Sequence, residues 1–292
     1  MSIRARLFRT SLRAFIQGPE ATIDQQRRSI NRAALPLPRS ERKRQIVVGG
    51  VPAVRVEPKH GAAHGHVLYL HGGGYCIGSP RSHASLAARL AKGAGMSTTV
   101  VDYRLAPEHV YPAGLDDCIS AYEALLSEFP ASSLTIAGDS AGGGATIATL
   151  QRIRDRGLEM PAAAVVLSPW VDLTGTAPSM HERADRDPML RAEHLSKFGD
   201  AYRGATAADQ HEVSPLFGDL FGLCPLLVQV GSDEILFDNA AMLADRIVAA
   251  DGNVTLEVFD GMWHVFQVFA PMMPEASAAL ASASRFLIRH SK

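Results

Sequence analysis

A serine stands between two glycines in the run Gly138-Asp-Ser140-Ala-Gly142, which follows a short apolar segment and precedes a stretch with helical spacing. This Gly-x-Ser-x-Gly pattern is typical of a sharp strand-to-helix turn that exposes a nucleophilic hydroxyl. Glycines on either side leave room for the turn, where larger side chains would collide. The pentad alone is weak evidence, but its place between a strand and a helix makes Ser140 a candidate nucleophile.

Three consecutive glycines follow another apolar segment, in the run His71–Gly74. Glycines in a row let the backbone approach a substrate closely with its N–H groups free, although a plain flexible turn has the same composition. Two such donors, together with the N–H of Ala141 directly after the serine, would form an oxyanion hole. The two motifs together favour acyl-transfer chemistry.

A general base for this serine is predicted at His264, which also follows an apolar segment. The carboxylate that orients such a histidine is expected between Ser140 and His264, at the end of a strand. Asp233 and Glu234 follow the apolar run Leu226–Val230 and meet both conditions. Local spacing alone does not decide between these two carboxylates.

Short apolar segments alternate with stretches of helical spacing along most of the chain, which predicts a mostly parallel sheet with helices on both faces. Ligands bind beyond the carboxyl ends of such strands, where the residues named above fall. A hairpin of Gln45–Val48 and Val51–Val56, joined by Gly49-Gly50, is predicted before the parallel part. The other predicted strands are Val67–Leu70, Thr98–Val101, Leu134–Ile136, Ala163–Leu167, Leu226–Val230 and Thr255–Val258. The predicted helices are Ala84–Leu90, Leu115–Leu126, Ala141–Ile153, Asn239–Ala249 and Ala276–Arg289.

Two parts of the chain do not follow this alternation. Residues 175–211 are charged and mixed, although Met189–Tyr202 has helical apolar spacing. Residues 1–42 begin with a basic amphipathic segment, which we expect to lay its apolar face on the rest of the protein. We predict that both parts form a helical cap over the active edge of the sheet, and that residues 43–292 form the α/β domain into which 175–211 is inserted.

Composition argues against several other classes of protein. The 29 basic and 30 acidic residues give a net charge of −1, without the basic excess of a nucleic-acid binder. No run of about 18 apolar residues is present to span a bilayer. Cys76, Cys118 and Cys224 form neither a disulfide framework nor a zinc motif, which fits a reducing compartment such as the cytoplasm. His66 and His71 lie about 16 Å apart along a strand and cannot share a metal ion.

As a set, the motifs resemble those of the bacterial hormone-sensitive-lipase-like esterases, over nearly the whole chain. They are His71–Gly74 (HGGG), Asp102–Glu108 (DYRLAPE), Gly138–Gly143 (GDSAGG), Ser168–Asp172 (SPWVD), Asp233–Asp238 and His264–Phe266 (HxF). The resemblance implies an α/β-hydrolase fold and a carboxylesterase that needs no cofactor or metal and favours short or medium acyl chains. It also implies a helical cap, and a homodimer is a further expectation.

The resemblance helps to choose the acid. The acid motif of the family is D-P-L-x-D, with its first Asp catalytic, and aligning it on Leu236 and Asp238 places the acid at Glu234 rather than Asp233. A glutamate can hold the imidazole as an aspartate does. The site expected from the resemblance consists of Ser140, Glu234 and His264 as catalytic residues and Gly72, Gly73 and Ala141 as oxyanion donors.

The predicted function is hydrolysis of a carboxylic ester through an acyl-enzyme. The same machinery would serve a lactone, a thioester, an acetylated sugar or an amide. A different class of function is ligand binding on an inactive hydrolase scaffold, as in the plant gibberellin receptor. That resemblance carries a lost triad histidine, whereas His264 and Ser140 are both present here.

Overall fold

The computed structural model describes residues 1–15, 21–61, 63–270 and 272–291. In these ranges eight strands form one sheet, in the order β1-β2-β4-β3-β5-β6-β7-β8. β1 and β2 form the predicted antiparallel hairpin, β2 pairs antiparallel with β4, and all pairs from β4 to β8 are parallel, as predicted. The strands are β1 (Glu41–Val48), β2 (Val51–Pro58), β3 (His66–Leu70), β4 (Ser97–Val101), β5 (Leu134–Asp139), β6 (Ala163–Leu167), β7 (Leu226–Gly231) and β8 (Val254–Phe259).

Helices cover both faces of the sheet, because successive residues of a strand point to opposite sides. Val67 and Tyr69 of β3 pack in one core with residues of α3 and α9, while Leu68 and Leu70 pack in the other with residues of α4, α5 and α8. The α-helices in the described ranges are α1 (Ile3–Phe15), α2 (Ile23–Arg32), α3 (Pro80–Gly93), α4 (Ala113–Leu126), α5 (Ala141–Asp155), α6 (Ser179–Glu182), α7 (Ala192–Arg203), α8 (Phe237–Ala249) and α9 (Pro274–His290). None of these helices is both long and apolar enough to cross a membrane.

The starts of α3 and α7 differ most from the predicted ones, for local reasons. α3 begins before the predicted Ala84, because Ser79 caps its first turn and accepts a hydrogen bond from the N–H of Ser82. α7 begins later than Met189, because the carboxylate of Asp187 accepts the N–H groups of Met189 and Leu190 and holds them in a turn. Side-chain bonds to the backbone thus set both boundaries.

The two predicted parts of the cap contact each other. Arg9 of α1 donates through Nη2 to the carbonyl oxygen of Arg186, at 2.7 Å, in the 175–211 insertion. The ring of Phe8 packs on Phe269, with centroids 5.4 Å apart, so the apolar face of α1 lies on the body of the protein. Residues 16–20 of the predicted N-terminal cap lie outside the described residues. The cap boundaries themselves stay a prediction.

The second N-terminal helix contacts the segment after β4. Arg27 of α2 donates to the carbonyl oxygens of Cys76 and Ala106, at 2.8 and 2.9 Å, and forms an ion pair with Glu108. Burial raises the pKa of the Cys76 thiol to about 12 despite the nearby Arg27, so this cysteine stays a neutral thiol. Arg27 therefore connects α2 both with the DYRLAPE segment and with the loop after β3.

Matched valine truncations test whether β3 lies in the core. Val67→Ala removes methyl groups from a side chain with 0% exposure, and we expect it to lower the free energy of unfolding by about 2 kcal/mol. Val47→Ala, on β1, changes a side chain that is 71% exposed, and should cost no more than about 0.5 kcal/mol. Urea unfolding of both variants measures the difference, and equal losses would contradict the burial of β3.

Candidate active site

Ser140 lies in the sharp turn between β5 and α5. Its φ of 54° is one that residues with a Cβ rarely adopt, and the turn is held by the N–H of Ser140, which donates to Leu167 O at 2.9 Å. A Cβ at Gly142 would lie only 2.0 Å from Leu70 O, so the helix can approach β3 only with glycine here. The predicted strand–turn–helix context of the serine is therefore present.

A continuous chain of hydrogen bonds joins Ser140, His264 and Glu234. The Oγ of Ser140 lies 2.9 Å from His264 Nε2, and the Nδ1 of His264 lies 2.8 Å from Glu234 Oε2. With the imidazole proton on Nδ1, His264 donates to the carboxylate and accepts from the serine hydroxyl. Ser140 keeps 7% of its surface exposed, whereas Glu234 is fully buried. The structure thus brings together the three residues predicted as a triad.

The environment of His264 favours its protonated form. Burial alone would lower its pKa, but the hydrogen bond and charge of Glu234, helped by Asp187 and Asp139, outweigh burial and raise the pKa above the ordinary histidine value. A histidine with a raised pKa is a stronger base. It is therefore suited to accept a proton from the serine hydroxyl in front of it.

Glu234 is held by Ser168, a residue of the SPWVD motif for which the sequence predicts no role. Its Oε1 accepts hydrogen bonds from Ser168 Oγ, at 2.8 Å, and from the N–H of Gly231, at 2.6 Å. The same hydroxyl of Ser168 accepts the N–H of Val265, at 3.0 Å, next to the histidine. Ser168 thus connects the acid with the histidine loop. Its position directly after β6, at the edge where the other site residues lie, was the available signal.

The neighbouring carboxylate, Asp233, faces another part of the protein. Its Oδ2 lies 2.5 Å from Arg9 Nη1 of α1, and only Glu234 contacts His264. Adjacent residues in a turn point in different directions, which is why sequence spacing could not separate these two candidates. Asp233 instead connects α1 with the turn after β7.

The first glycine of the HGGG run is anchored to a buried carboxylate. The N–H of Gly72 donates to Asp139 Oδ1, at 3.1 Å, and the hydroxyl of Tyr69 donates to the same oxygen at 2.8 Å. His83 Nε2 lies 3.4 Å from the other oxygen of Asp139. Burial opposes ionisation of Asp139, but His83 and the hydrogen bond from Tyr69 prevail and lower its pKa. Asp139 thus remains charged beneath the glycine loop.

This anchor corrects one predicted role. An oxyanion donor needs a free N–H, and that of Gly72 is occupied by Asp139. No described residue accepts a hydrogen bond from the N–H groups of Gly73, Gly74 or Ala141. Gly73 and Ala141 therefore keep the free donors that the sequence predicts, whereas Gly72 does not.

Across the described ranges, no group of three or more His, Cys, Asp or Glu side chains could hold a metal ion. His66 contacts Ser97 and Thr99, and His71 contacts Gly72 O, so these two histidines have separate partners. Burial lowers the pKa of each to about 3. Both are neutral side chains of the sheet and its glycine loop.

Several known proteins similar to this chain are named acetyl-hydrolases or esterases. A sequence profile of the alpha/beta hydrolase fold matches residues 67–268. An acetyl-hydrolase of Streptomyces hygroscopicus is 41% identical over 222 residues, which make up 76% of this chain and 74% of that protein. The putative acetyl-hydrolase LipR of Mycobacterium tuberculosis is 36% identical over 258 residues, or 87% of this chain and 82% of LipR.

The fold of the chain also matches that of a solved esterase structure. The crystal structure of an esterase from the bacterial hormone-sensitive lipase family matches with a TM-score of 0.96 and 38% identity, covering 100% of this chain and 99% of that one. Fold, sequence and motifs agree with the resemblance noted above. The chain therefore belongs to the alpha/beta hydrolase family, as an esterase-type serine hydrolase of the bacterial hormone-sensitive-lipase group.

Proposed function

We propose that the protein hydrolyses carboxylic esters with short acyl groups, with Ser140 as nucleophile, His264 as general base and Glu234 as the orienting acid. The observation that carries this proposal is the unbroken hydrogen-bond chain, 2.8 Å from Glu234 to His264 and 2.9 Å from His264 to Ser140. Each of the three has the neighbour that its role requires.

The reaction proceeds by two acyl transfers. Ser140 Oγ attacks the ester carbonyl carbon while its proton moves to His264 Nε2, and a tetrahedral oxyanion forms. The bond to the alcohol oxygen then breaks, and His264 returns the proton to the leaving alkoxide. In the second half, water gives a proton to His264 as its oxygen attacks the acyl carbon. The bond between that carbon and Ser140 Oγ then breaks, His264 returns the proton to Ser140 Oγ, and the acid is released. Glu234 stabilises the imidazolium that forms in each half.

The oxyanion is held by the N–H groups of Gly73, Gly74 and Ala141. These groups have no acceptor among the described residues, and Ala141 opens α5, whose N-terminal end is positive. Gly72 supports them indirectly, because its bond to Asp139 anchors the start of the loop. Gly74 thus replaces Gly72 in the set derived from the sequence.

Two observations support a short acyl group. The relatives in Streptomyces hygroscopicus and Mycobacterium tuberculosis bear the name acetyl-hydrolase. The ring of Phe198, on α7, packs directly on Gly74, where an added Cβ would lie 2.1 Å from Phe198 Cδ2. An aromatic ring against the glycine loop limits the space beside the proposed oxyanion donors.

A series of p-nitrophenyl esters of increasing acyl length tests the activity and the nucleophile together. We expect kcat/KM to be highest for acetate to butyrate esters and to fall for longer chains. Ser140→Ala should lower kcat by about 10⁶-fold, because within the described part of the chain the hydroxyl bonded to His264 Nε2 is that of Ser140. Wild-type rates in the folded Ser140→Ala protein would contradict the mechanism. A maximum at long chains would contradict only the chain length.

Two neighbouring carboxylates provide a matched test of the acid. Glu234→Gln keeps the shape of the side chain but favours the wrong imidazole tautomer, and we expect kcat to fall by about 10⁴-fold. Asp233→Asn affects a partly exposed ion pair with Arg9 and a hydrogen bond from Ser232 Oγ, and should change kcat much less. Steady-state kinetics of both variants on the same ester give the ranking. The reverse ranking would move the acid to Asp233.

The raised pKa of His264 predicts a pH dependence. The neutral imidazole is the active base, so kcat/KM falls as the pH drops through the pKa of His264, and this fall begins above the ordinary value of about 6.5. In Glu234→Gln the carboxylate no longer raises that pKa, while burial still lowers it. The acidic limb of the residual activity should therefore move to lower pH. An acidic limb at the same pH in both proteins would show that another group titrates.

A further inference from the structure

The cap insertion contacts the turn that carries Glu234, here called the acid loop and defined as residues 231–238. Ser179, at the start of α6, donates through Oγ to the carbonyl oxygen of Ile235, at 2.7 Å. Its N–H donates to Asp238 Oδ2, also at 2.7 Å, and its Oγ accepts the N–H of Asp238 at 3.1 Å. The acid loop is therefore bound to the cap on the side that follows Glu234.

A second contact lies on the other side of Glu234. Arg183 donates to the carbonyl oxygen of Ser232, and its guanidinium lies 3.7 Å over the ring of Phe237. Together with Arg9 on Asp233, these contacts engage residues on both sides of the acid. The insertion therefore contacts the acid loop at several points.

Asp187, also in the insertion, contacts the residue that directly follows Glu234. Its side chain is buried, with 6% exposure. Oδ1 accepts the N–H groups of Met189 and Leu190, at 2.8 and 3.0 Å, and Oδ2 accepts the N–H of Ile235, at 3.0 Å. The N–H of Ile235 belongs to the peptide bond that follows Glu234. Asp187 thus fixes the plane of that peptide bond from the cap.

We propose that Asp187 is a positioning residue for the triad acid, through which the cap insertion sets the orientation of Glu234. This inference rests on the proposed function. Ser168 and Gly231 hold the carboxylate oxygen that faces away from the histidine. Asp187 holds the backbone from which the side chain departs, so the three contacts together restrict both ends of Glu234.

The chemistry of Asp187 fits such a role better than that of a simple turn former. Burial raises the pKa of this carboxyl, and the nearby charge of Glu234 adds to the rise, while His264 and the N–H groups of Leu190 and Met189 oppose it. A buried carboxylate is costly unless its oxygens are satisfied. Here Oδ1 accepts hydrogen bonds from N–H groups of the insertion, and Oδ2 accepts one from an N–H group of the acid loop.

A second residue of the insertion provides a control for the loss of such a turn without the loss of a contact to the acid loop. Gln210, also in the insertion, accepts the N–H groups of Glu212 and Val213 on its Oε1, at 2.7 and 3.0 Å. This is the same pattern, two and three residues ahead, that Asp187 makes with Met189 and Leu190. Gln210 differs in that its side chain makes no hydrogen bond with the acid loop among the described residues.

The test compares Asp187→Ala, Asp187→Asn and Gln210→Ala in the full-length protein, with p-nitrophenyl acetate as substrate. We expect Asp187→Ala to lower kcat by about 10- to 100-fold with little change in KM, because a displacement of about 1 Å in a catalytic group can cost about 10²-fold. Asp187→Asn retains one acceptor oxygen and should lose less. Gln210→Ala should stay within about twofold of wild type.

A double-mutant cycle tests whether Asp187 acts through Glu234. If it does, adding Asp187→Ala to Glu234→Gln should lower kcat by no more than about twofold, because the acid no longer functions. Three results would overturn the proposal. One is an equal loss of kcat from Asp187→Ala in the wild-type and Glu234→Gln backgrounds. The others are equal losses of kcat in Asp187→Ala and Gln210→Ala, and an unchanged kcat in folded Asp187→Ala. If the alanine variant does not fold, an unchanged kcat in Asp187→Asn overturns it and a reduced kcat with unchanged KM supports it. Failure of the proposed function itself is separate, since it appears as activity in Ser140→Ala.

Discussion

The carboxylate of Glu234 and the imidazole of His264 are buried against each other, 2.8 Å apart, and the rest of the site is arranged around this contact. A buried carboxylate is strongly destabilising unless its oxygens are hydrogen-bonded. Here Ser168 and Gly231 satisfy one oxygen and His264 the other. The contact also fixes the imidazole so that its second nitrogen faces Ser140. A rigid environment for the acid is therefore a condition for the proposed role of Ser140 as nucleophile.

The sheet supplies that rigidity through strained backbone at the ends of its strands. Of the five non-glycine residues with positive φ in the described ranges, Ser140, Ser168 and Val265 belong to the hydrogen-bonded site and Tyr75 follows the glycine loop. Such conformations cost about 1–3 kcal/mol each and persist only where the surroundings enforce them. The N–H of Val265, for example, is held by the hydroxyl of Ser168. Strain and hydrogen bonding therefore occur at the same residues.

Much of this arrangement could be predicted from the sequence, because the strands and their ends follow from apolar segments and glycines. The alternation of segments gave the sheet, and the motifs placed Ser140, His264 and the acid at one edge. The acid itself was chosen by aligning the loop on Leu236 and Asp238, since Asp233 and Glu234 are chemically alike. Only the fold separates them, by directing Asp233 to Arg9 and Glu234 to His264.

The glycine loop shows what sequence reasoning could not supply. Gly72, Gly73 and Gly74 are the same residue type, and nothing local indicates which N–H is free. The choice depends on Asp139, far along the chain, whose buried carboxylate takes the N–H of Gly72. The supporting roles of Ser168 and Asp187 were missed for the same reason. Each role depends on hydrogen bonds between segments that are far apart in the sequence.

The contacts of the acid loop also bear on how the cap and the triad are related. Arg9 connects α1 with both Asp233 and Arg186, while Ser179 and Arg183 connect the insertion with the same loop. A displacement of the cap cannot leave all of these bonds intact. The backbone beside Glu234 is then coupled to the position of these segments. The proposed positioning of the acid therefore depends on contacts from outside the sheet as well as on Ser168 and Gly231, which hold its carboxylate.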